Sequence, residues 1–190
     1  MPLPDNCDVL FVDDEEATLR TYDMLFKRPL TRQGLDCHSL LVGWDGESDN
    51  ERITAAQPGE VVEQINLLRP RLILSDMQMP GIDGLQILEG IEEVDPQWLQ
   101  KRDEVLKNGK LDRQRLLFMI NSAGITRQER KPPLRAAYES GNLAFVLEKT
   151  TSNIRQIMAL LSKGLAEQLT AEDVTFLREQ SKDAVRNLLG

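Results

Sequence analysis

Short apolar runs punctuate the chain, and several of them end in polar residues at a turn. Asp8–Val12 (DVLFV) is continuous and apolar after its first residue, the pattern of a parallel strand buried on both faces. Arg71–Leu74, Leu116–Asn121 and Ala144–Leu147 read the same way, and Cys37–Val42 is a weaker candidate. Between them the apolar positions change to a helical period. Glu15–Arg28 carries Ala17, Leu19, Leu25 and Phe26, and Glu60–Leu68 repeats Val61, Ile65 and Leu68. Leu85–Val94 is a short helix, and Pro132–Ser140 is another that stops at Gly141. From Ser152 the pattern is helical to the end, with Gly164 as a break. Thr170–Asp173 resembles a capping box with Asp in place of Glu, which starts a last helix over Ala171–Leu189.

Two stretches fall outside this alternation. Trp44–Gly59 is polar and rich in Gly, Asp and Ser, and reads as a long loop. Trp98–Arg115 is highly charged and contains Asn108-Gly109, a turn signal. It is either an exposed helical insert or a mobile loop. Five strands alternating with helices imply an α/β fold: a doubly wound, five-stranded parallel sheet covered on both faces.

Charge narrows the choice of partners. The 190 residues carry a formal charge of −8, so a general affinity for nucleic acid or an anionic membrane is not expected. Two cysteines, Cys7 and Cys37, and one histidine, His38, are too few for a zinc site. The cysteines read as reduced core or edge residues, and His38 as a surface or strand histidine. No apolar run approaches the ~20 residues of a membrane span, and the first residues lack the signature of a signal peptide. The expected location is the cytoplasm.

In an open α/β sheet, ligands bind outside the carboxyl ends of the strands. The polar residues there are Asp13-Asp14 after the first strand, Asp76 after the third, Ser122-Ala123 after the fourth and Glu148-Lys149 after the fifth. Taken singly, each has a bland reading, since acids cap helices and strand-end lysines are solvated. Together, in this order, they point to one site. Three carboxylates so placed repel one another, a bound cation relieves the repulsion, and an all-oxygen ligand set favours Mg²⁺. Such a metal holds a phosphoryl group beside a carboxylate nucleophile, with the Lys149 ammonium and the Ser122 hydroxyl on its oxygens.

These residues carry a resemblance. VLFVDDEE, LILSDMQMPGIDGLQIL, FMINSAG and FVLEK together resemble the response-regulator receiver domain of two-component signalling, over about residues 6–163. The D-x-x-M-P-G-x-D-G stretch at Asp76–Gly84 is its most specific part. The resemblance implies a flavodoxin-like sheet of strand order 2-1-3-4-5. It implies Asp76 as the acceptor of a phosphoryl group from a histidine kinase or phosphotransfer protein. Asp13, Asp14, Asp76 and the backbone carbonyl of Gln78 would hold Mg²⁺, and Lys149 and Ser122 would grip the phosphoryl group. Pro80 and Gly84 would shape the loop. The implied role is a signalling switch acting on a downstream output protein or domain, with at most autophosphatase activity.

The chain departs from the family pattern at several places. Thr150 follows Lys149, where proline is usual, and Val146 stands at the usual aromatic position, with Phe145 one residue earlier and on the opposite strand face. The loops near 43–59 and 98–115 are enlarged. Residues 1–163 read as the receiver domain, and residues 164–190 as a C-terminal helical extension. Val174, Leu177, Ala184, Val185 and Leu188 form an amphipathic stripe on that extension. The stripe is expected to meet another protein surface, such as a second copy in a homodimer, with folding back on its own domain as the alternative. Two other functions compete with the switch. An Asp-nucleophile phosphohydrolase commonly has a second Asp two residues after the nucleophile, where this chain has Gln78. A pseudo-receiver would keep the fold as an unswitched interaction module.

Overall fold

The computed structural model describes residues 6–43, 53–122, 131–148 and 153–184. Its centre is a parallel sheet. The strands are β1 (Val9–Asp13), β2 (Cys37–Val42), β3 (Ile53–Ala55), β4 (Leu72–Asp76), β7 (Leu117–Ser122) and β8 (Leu143–Glu148), in the order β3-β2-β1-β4-β7-β8. A separate two-residue hairpin, β5 (Gln78–Met79) with β6 (Ile82–Asp83), follows β4. The expected five strands therefore gain a sixth. Without β3 the order is the expected 2-1-3-4-5, and β3 adds an edge beyond β2 by pairing Leu40 with Ile53 and Val42 with Ala55. Ile53-Thr54-Ala55 is too short to stand out from its polar surroundings, and its pairing stabilises it. Residues 44–52 of the predicted loop lie outside the described residues, and its last two, Pro58 and Gly59, begin the next helix.

Alternation along the strands sends side chains to two apolar layers. Leu10, Val12, Ile73, Phe118, Ile120 and Val146 pack on one face, beneath α3 (Pro58–Leu68), α4 (Gly84–Val94) and α6 (Lys131–Glu139). Val9, Phe11, Leu72, Leu74, Met119 and Phe145 pack on the other, against α1 (Glu16–Tyr22), α2 (Arg28–Arg32) and α7 (Asn153–Ala166). These strand residues are fully or almost fully buried, as a sheet covered on both faces requires. Between α1 and α2, Asp23–Lys27 is π-helical, and the Arg28 amide reaches back to Asp23 O. Pro29 follows at once, and its missing N–H removes a bond that a regular helix would need. The first helix thus continues past the expected Arg28.

The register of β8 carries one irregularity. Phe118 pairs with Leu143 but Met119 pairs with Phe145, so Ala144 is the extra residue of a bulge. Ala144 and Phe145 both join the layer under α7, whereas Val146 joins the opposite one. The expected opposition of Phe145 and Val146 is thus present.

Of the two expected readings of the charged insert the helical one holds, but the segment is only partly exposed. Leu99 bridges to Leu116 in parallel, and α5 (Arg102–Asn108) docks with Trp98, Leu99, Val105 and Leu111 buried. The Arg69 guanidinium lies 4.0 Å over the Trp98 ring. Arg115 Nη1 meets Glu104 at 2.5 Å and its Nη2 donates to Leu99 O at 2.6 Å. Most of its charged residues are exposed, while its scattered apolar residues are divided between the two layers, Trp98 and Leu99 in the first and Val105, Leu106 and Leu111 in the second.

The last helix, α8 (Ala171–Ala184), starts at the predicted capping box: the Thr170 amide donates to Asp173 Oδ2 at 2.9 Å, and the Asp173 amide to Thr170 Oγ1 at 3.2 Å. Lys163 fastens the same carboxylate at 2.8 Å. Here the expectation of a stripe left for a partner is corrected. Leu177 is completely buried within the chain's own second layer and Val174 packs against it, in the same layer as Val105 and Leu106 of α5. Val185 and Leu188 lie outside the described residues. Gly164 does not break α7. A Cβ there would come within 2.7 Å of Leu111 Cδ1, so the glycine lets the insert pack closely. Among the described residues, no helix is long and apolar enough to cross a membrane.

Candidate functional site

The three central strands end together. Val12 pairs with Ser75 and Asp76 pairs with Asn121, which places Asp13, Asp76 and Asn121 in one row at the carboxyl edge. Asp13, Asp14 and Asp76 each offer a carboxylate oxygen within 4.8 Å of the others. Asp13 is fully buried, Asp76 is 8% exposed and Asp14 is half-buried. Buried carboxylates need donors. The Glu15 amide supplies one to Asp13 Oδ1 at 2.9 Å, and the Met77 amide one to Asp76 Oδ1 at 2.7 Å. Two unit charges at this separation repel by about 3–4 kcal/mol at an effective dielectric of ~20. A small divalent cation with oxygen ligands fits such a cluster.

The hairpin after Asp76 forms one wall. Gln78 pairs with Asp83 and Met79 with Ile82 around Pro80-Gly81. Asp83 then caps α4: the Gln86 amide donates to Asp83 Oδ1 at 2.8 Å, and the Asp83 amide donates to Gln86 Oε1 at 2.9 Å. Gly84 starts that helix against the site, where a Cβ would lie 2.6 Å from Asp76 O. The helix can approach the strand end this closely only without a side chain. Asp14 and Gln78 line one open pocket of about 570 Å³ with the residues of this hairpin.

Of the residues expected from the sequence, Asp13, Asp14 and Asp76 come together. Gln78 borders the same pocket, and Ser122 is buried at the end of the neighbouring strand. Lys149 and Thr150 lie outside the described residues. Asn121 and Tyr22 went unnoticed in the sequence. Asn121 is 1% exposed, its amide N–H donates to the Tyr22 hydroxyl, and its Oδ1 has no hydrogen-bond partner among the described residues. The Met77 amide donates to Asn121 O at 3.0 Å. Asn121 thus ties the loop after Asp76 and the first helix to one strand end. A polar residue inside the apolar run LFMIN was the available signal. The Asp83–Gln86 cap was legible too, as an acid followed three residues later by Gln.

The thiols and the histidine stand apart from the site. Burial raises the Cys7 thiol far above its usual range and the Cys37 thiol to about 12, so both are protonated. Partial burial, with Lys27 nearby, lowers His38.

No protein-family model matches the chain. Among curated proteins it is similar to the DNA-binding transcriptional regulator NtrC of Klebsiella pneumoniae, 30% identical over 88 residues. That match covers 46% of this chain and 15% of the regulator. Among solved structures, it is similar to a two-component response regulator of the LuxR family from Aurantimonas sp. SI85-9A1, with a TM-score of 0.54 and 15% identity over 94% of this chain and 97% of that one. It is also similar to the signal receiver domain of an HD domain-containing protein from Pseudomonas fluorescens Pf-5, with a TM-score of 0.51 and 14% identity over 84% and 94% of the two chains. A response regulator receiver domain protein from Clostridium thermocellum gives a TM-score of 0.50 at 17% identity, over 84% and 94%.

Proposed function

From the receiver fold that these similarities give the chain, we propose that it is a phosphoryl-switched signalling module in which Asp76 is the phosphoacceptor. The observation that carries this reading is the cluster of three carboxylates within 4.8 Å at the carboxyl edge of the central strands. Asp13, Asp14, Asp76 and the Gln78 carbonyl would hold Mg²⁺, which when bound neutralises charge on the phosphoryl oxygens. The Met77 amide holds Asp76 Oδ1 and so limits rotation of the carboxylate. An Asp76 oxygen attacks phosphorus as the P–N bond to the donor imidazole breaks, and the imidazole leaves with the bonding pair. The Ser122 hydroxyl and the Lys149 ammonium then hold phosphoryl oxygens. The donor is a histidine kinase or phosphotransfer protein, and the product alters contact with a downstream output protein or domain. A cytoplasmic location belongs to the same reading. A homodimer remains compatible with it, but through a surface other than the described part of the α8 stripe, which is buried.

Gln78, at the place where a phosphohydrolase would have its second acid, favours a stable acyl phosphate over turnover of phosphate esters. A pseudo-receiver would make no acyl phosphate at all. Incubation with Mg²⁺ and a small phosphodonor, followed by intact-mass measurement, separates these readings. One phosphoryl adduct is expected on the wild type and none on Asp76→Asn. An adduct that persists in Asp76→Asn refutes the assignment.

A further inference from the structure

At the end of the molecule away from the carboxylates, α5, α6 and α8 border another, open cleft, of about 570 Å³. Arg102 and Lys107 enter it from α5, and Arg178 and Lys182 from α8. Among the described residues, Asp103 is the one carboxylate in its lining, so these carry a net charge of +3 in a chain whose formal charge is −8. Asp103 is 78% exposed on its side chain and, among the described residues, pairs with Arg102 Nε alone, at 3.2 Å. Among the described residues, neither Lys107 nor Lys182 has an ion-pair partner.

Arg102 is built in rather than draped on the surface. Its side chain is 10% exposed, its guanidinium lies 3.9 Å over the Tyr138 ring, and its Nη1 donates to Tyr138 O at 3.0 Å. The ring and the carbonyl fix the plane of the fork, which lowers the entropic cost of accepting an oxyanion. Arg178 is steadied by a bond from Nη2 to Leu106 O at 3.3 Å. Gathering four cations around one cleft costs Coulomb energy that a single exposed acid does not offset, and a bound anion would offset it.

We propose that this cleft binds a small polyphosphate, of the size and charge of a nucleoside diphosphate or an inorganic tripolyphosphate. The charge calls for about three negative charges, and the fixed guanidinium suits phosphate oxygens. The volume falls in the range of small-molecule sites, ~300–1,000 Å³. The ligand would bridge α5 to α8 and so hold the last helix on the domain.

The test is calorimetric titration of the full chain with tripolyphosphate and, separately, with ADP, in the absence of Mg²⁺. Saturable one-to-one binding is expected, weakened at least tenfold by Lys107→Glu with Lys182→Glu and several-fold by Arg102→Lys, which keeps the charge but loses the fork. Both lysines are exposed. Should the double reversal unfold the chain, Lys107→Gln and Lys182→Gln take its place, each with a several-fold loss. Equal affinity for the two probes supports recognition of phosphate alone, and tighter binding of ADP supports a nucleoside contact as well. Asp76→Asn is expected to bind like the wild type, so the result is independent of phosphorylation at the other end. Absence of saturable binding, binding unaffected by the lysine variants, or binding of a poly-glutamate peptide without binding of tripolyphosphate overturns the proposal.

Discussion

Replacing Asp14 with Asn is expected to change the sign of its stability effect according to whether Mg²⁺ is present. Asp14 contributes one of three carboxylate oxygens lying within 4.8 Å of one another, so it has two like-charged neighbours. At an effective dielectric of ~20 and the full separation, each pair costs about 3.5 kcal/mol, or about 7 kcal/mol for the two before further screening. Asp14 is half-buried, and counter-ions and water reduce that figure. A net gain of about 1–2 kcal/mol is expected for Asp14→Asn in chelator, because Asn keeps the shape and most of the hydrogen bonding while removing the charge. For a chain of this size that corresponds to a rise of about 2–8 °C in Tm. In Mg²⁺ at a hundredfold excess over Kd the wild type gains about 2.7 kcal/mol, and the variant, lacking a ligand, gains much less. Thermal unfolding of both proteins, in chelator and across a Mg²⁺ titration, should show the two Tm curves crossing. A wild type whose Tm ignores Mg²⁺, or a variant that is less stable in chelator as well, would refute the repulsion argument.

Three further outcomes are expected. Gly84→Ala should lose about 2–4 kcal/mol in urea unfolding, because the new Cβ meets Asp76 O at 2.6 Å, and both the backbone and a tight contact with Ile120 resist its displacement. Leu177→Ala should cost about 2–5 kcal/mol, since the side chain is fully buried; a cost near zero would mean that α8 is not docked in solution. His38→Gln should flatten part of the acid side of the stability–pH curve. The folded chain holds His38 below its usual value through burial, so the unfolded chain binds the proton first. The resulting stability is complete above the unfolded value of about 6.5 and declines as pH falls from there toward the folded value. A wild-type minus variant difference that does not change between pH 7 and 5 would count against it.

Much of the fold was legible because its signals are local. DVLFV and RLIL are too apolar to lie anywhere but in a buried parallel sheet, and the acids that follow them stand at strand ends by position alone. The Thr170–Asp173 cap was likewise legible, since its partners are three residues apart. What the sequence determined by itself was therefore the alternation of strands and helices, the carboxyl edge that carries Asp13, Asp14 and Asp76, and the start of the last helix. The tertiary structure alone decided the remainder. Ile53–Ala55 becomes a strand only because β2 offers an open edge to pair with. The insert reads as polar because its buried residues are spread too irregularly to show a period, and Trp98 and Leu99 find their neighbours in one layer while Val105 and Leu111 find theirs in the other. The α8 stripe looks like a surface awaiting a partner until α5 stands beside it. Tyr22 meets Asn121 across 99 residues of chain. The reason is common to all four: burial and pairing are properties of residues brought close in space, and a linear pattern records only those that are also close in sequence.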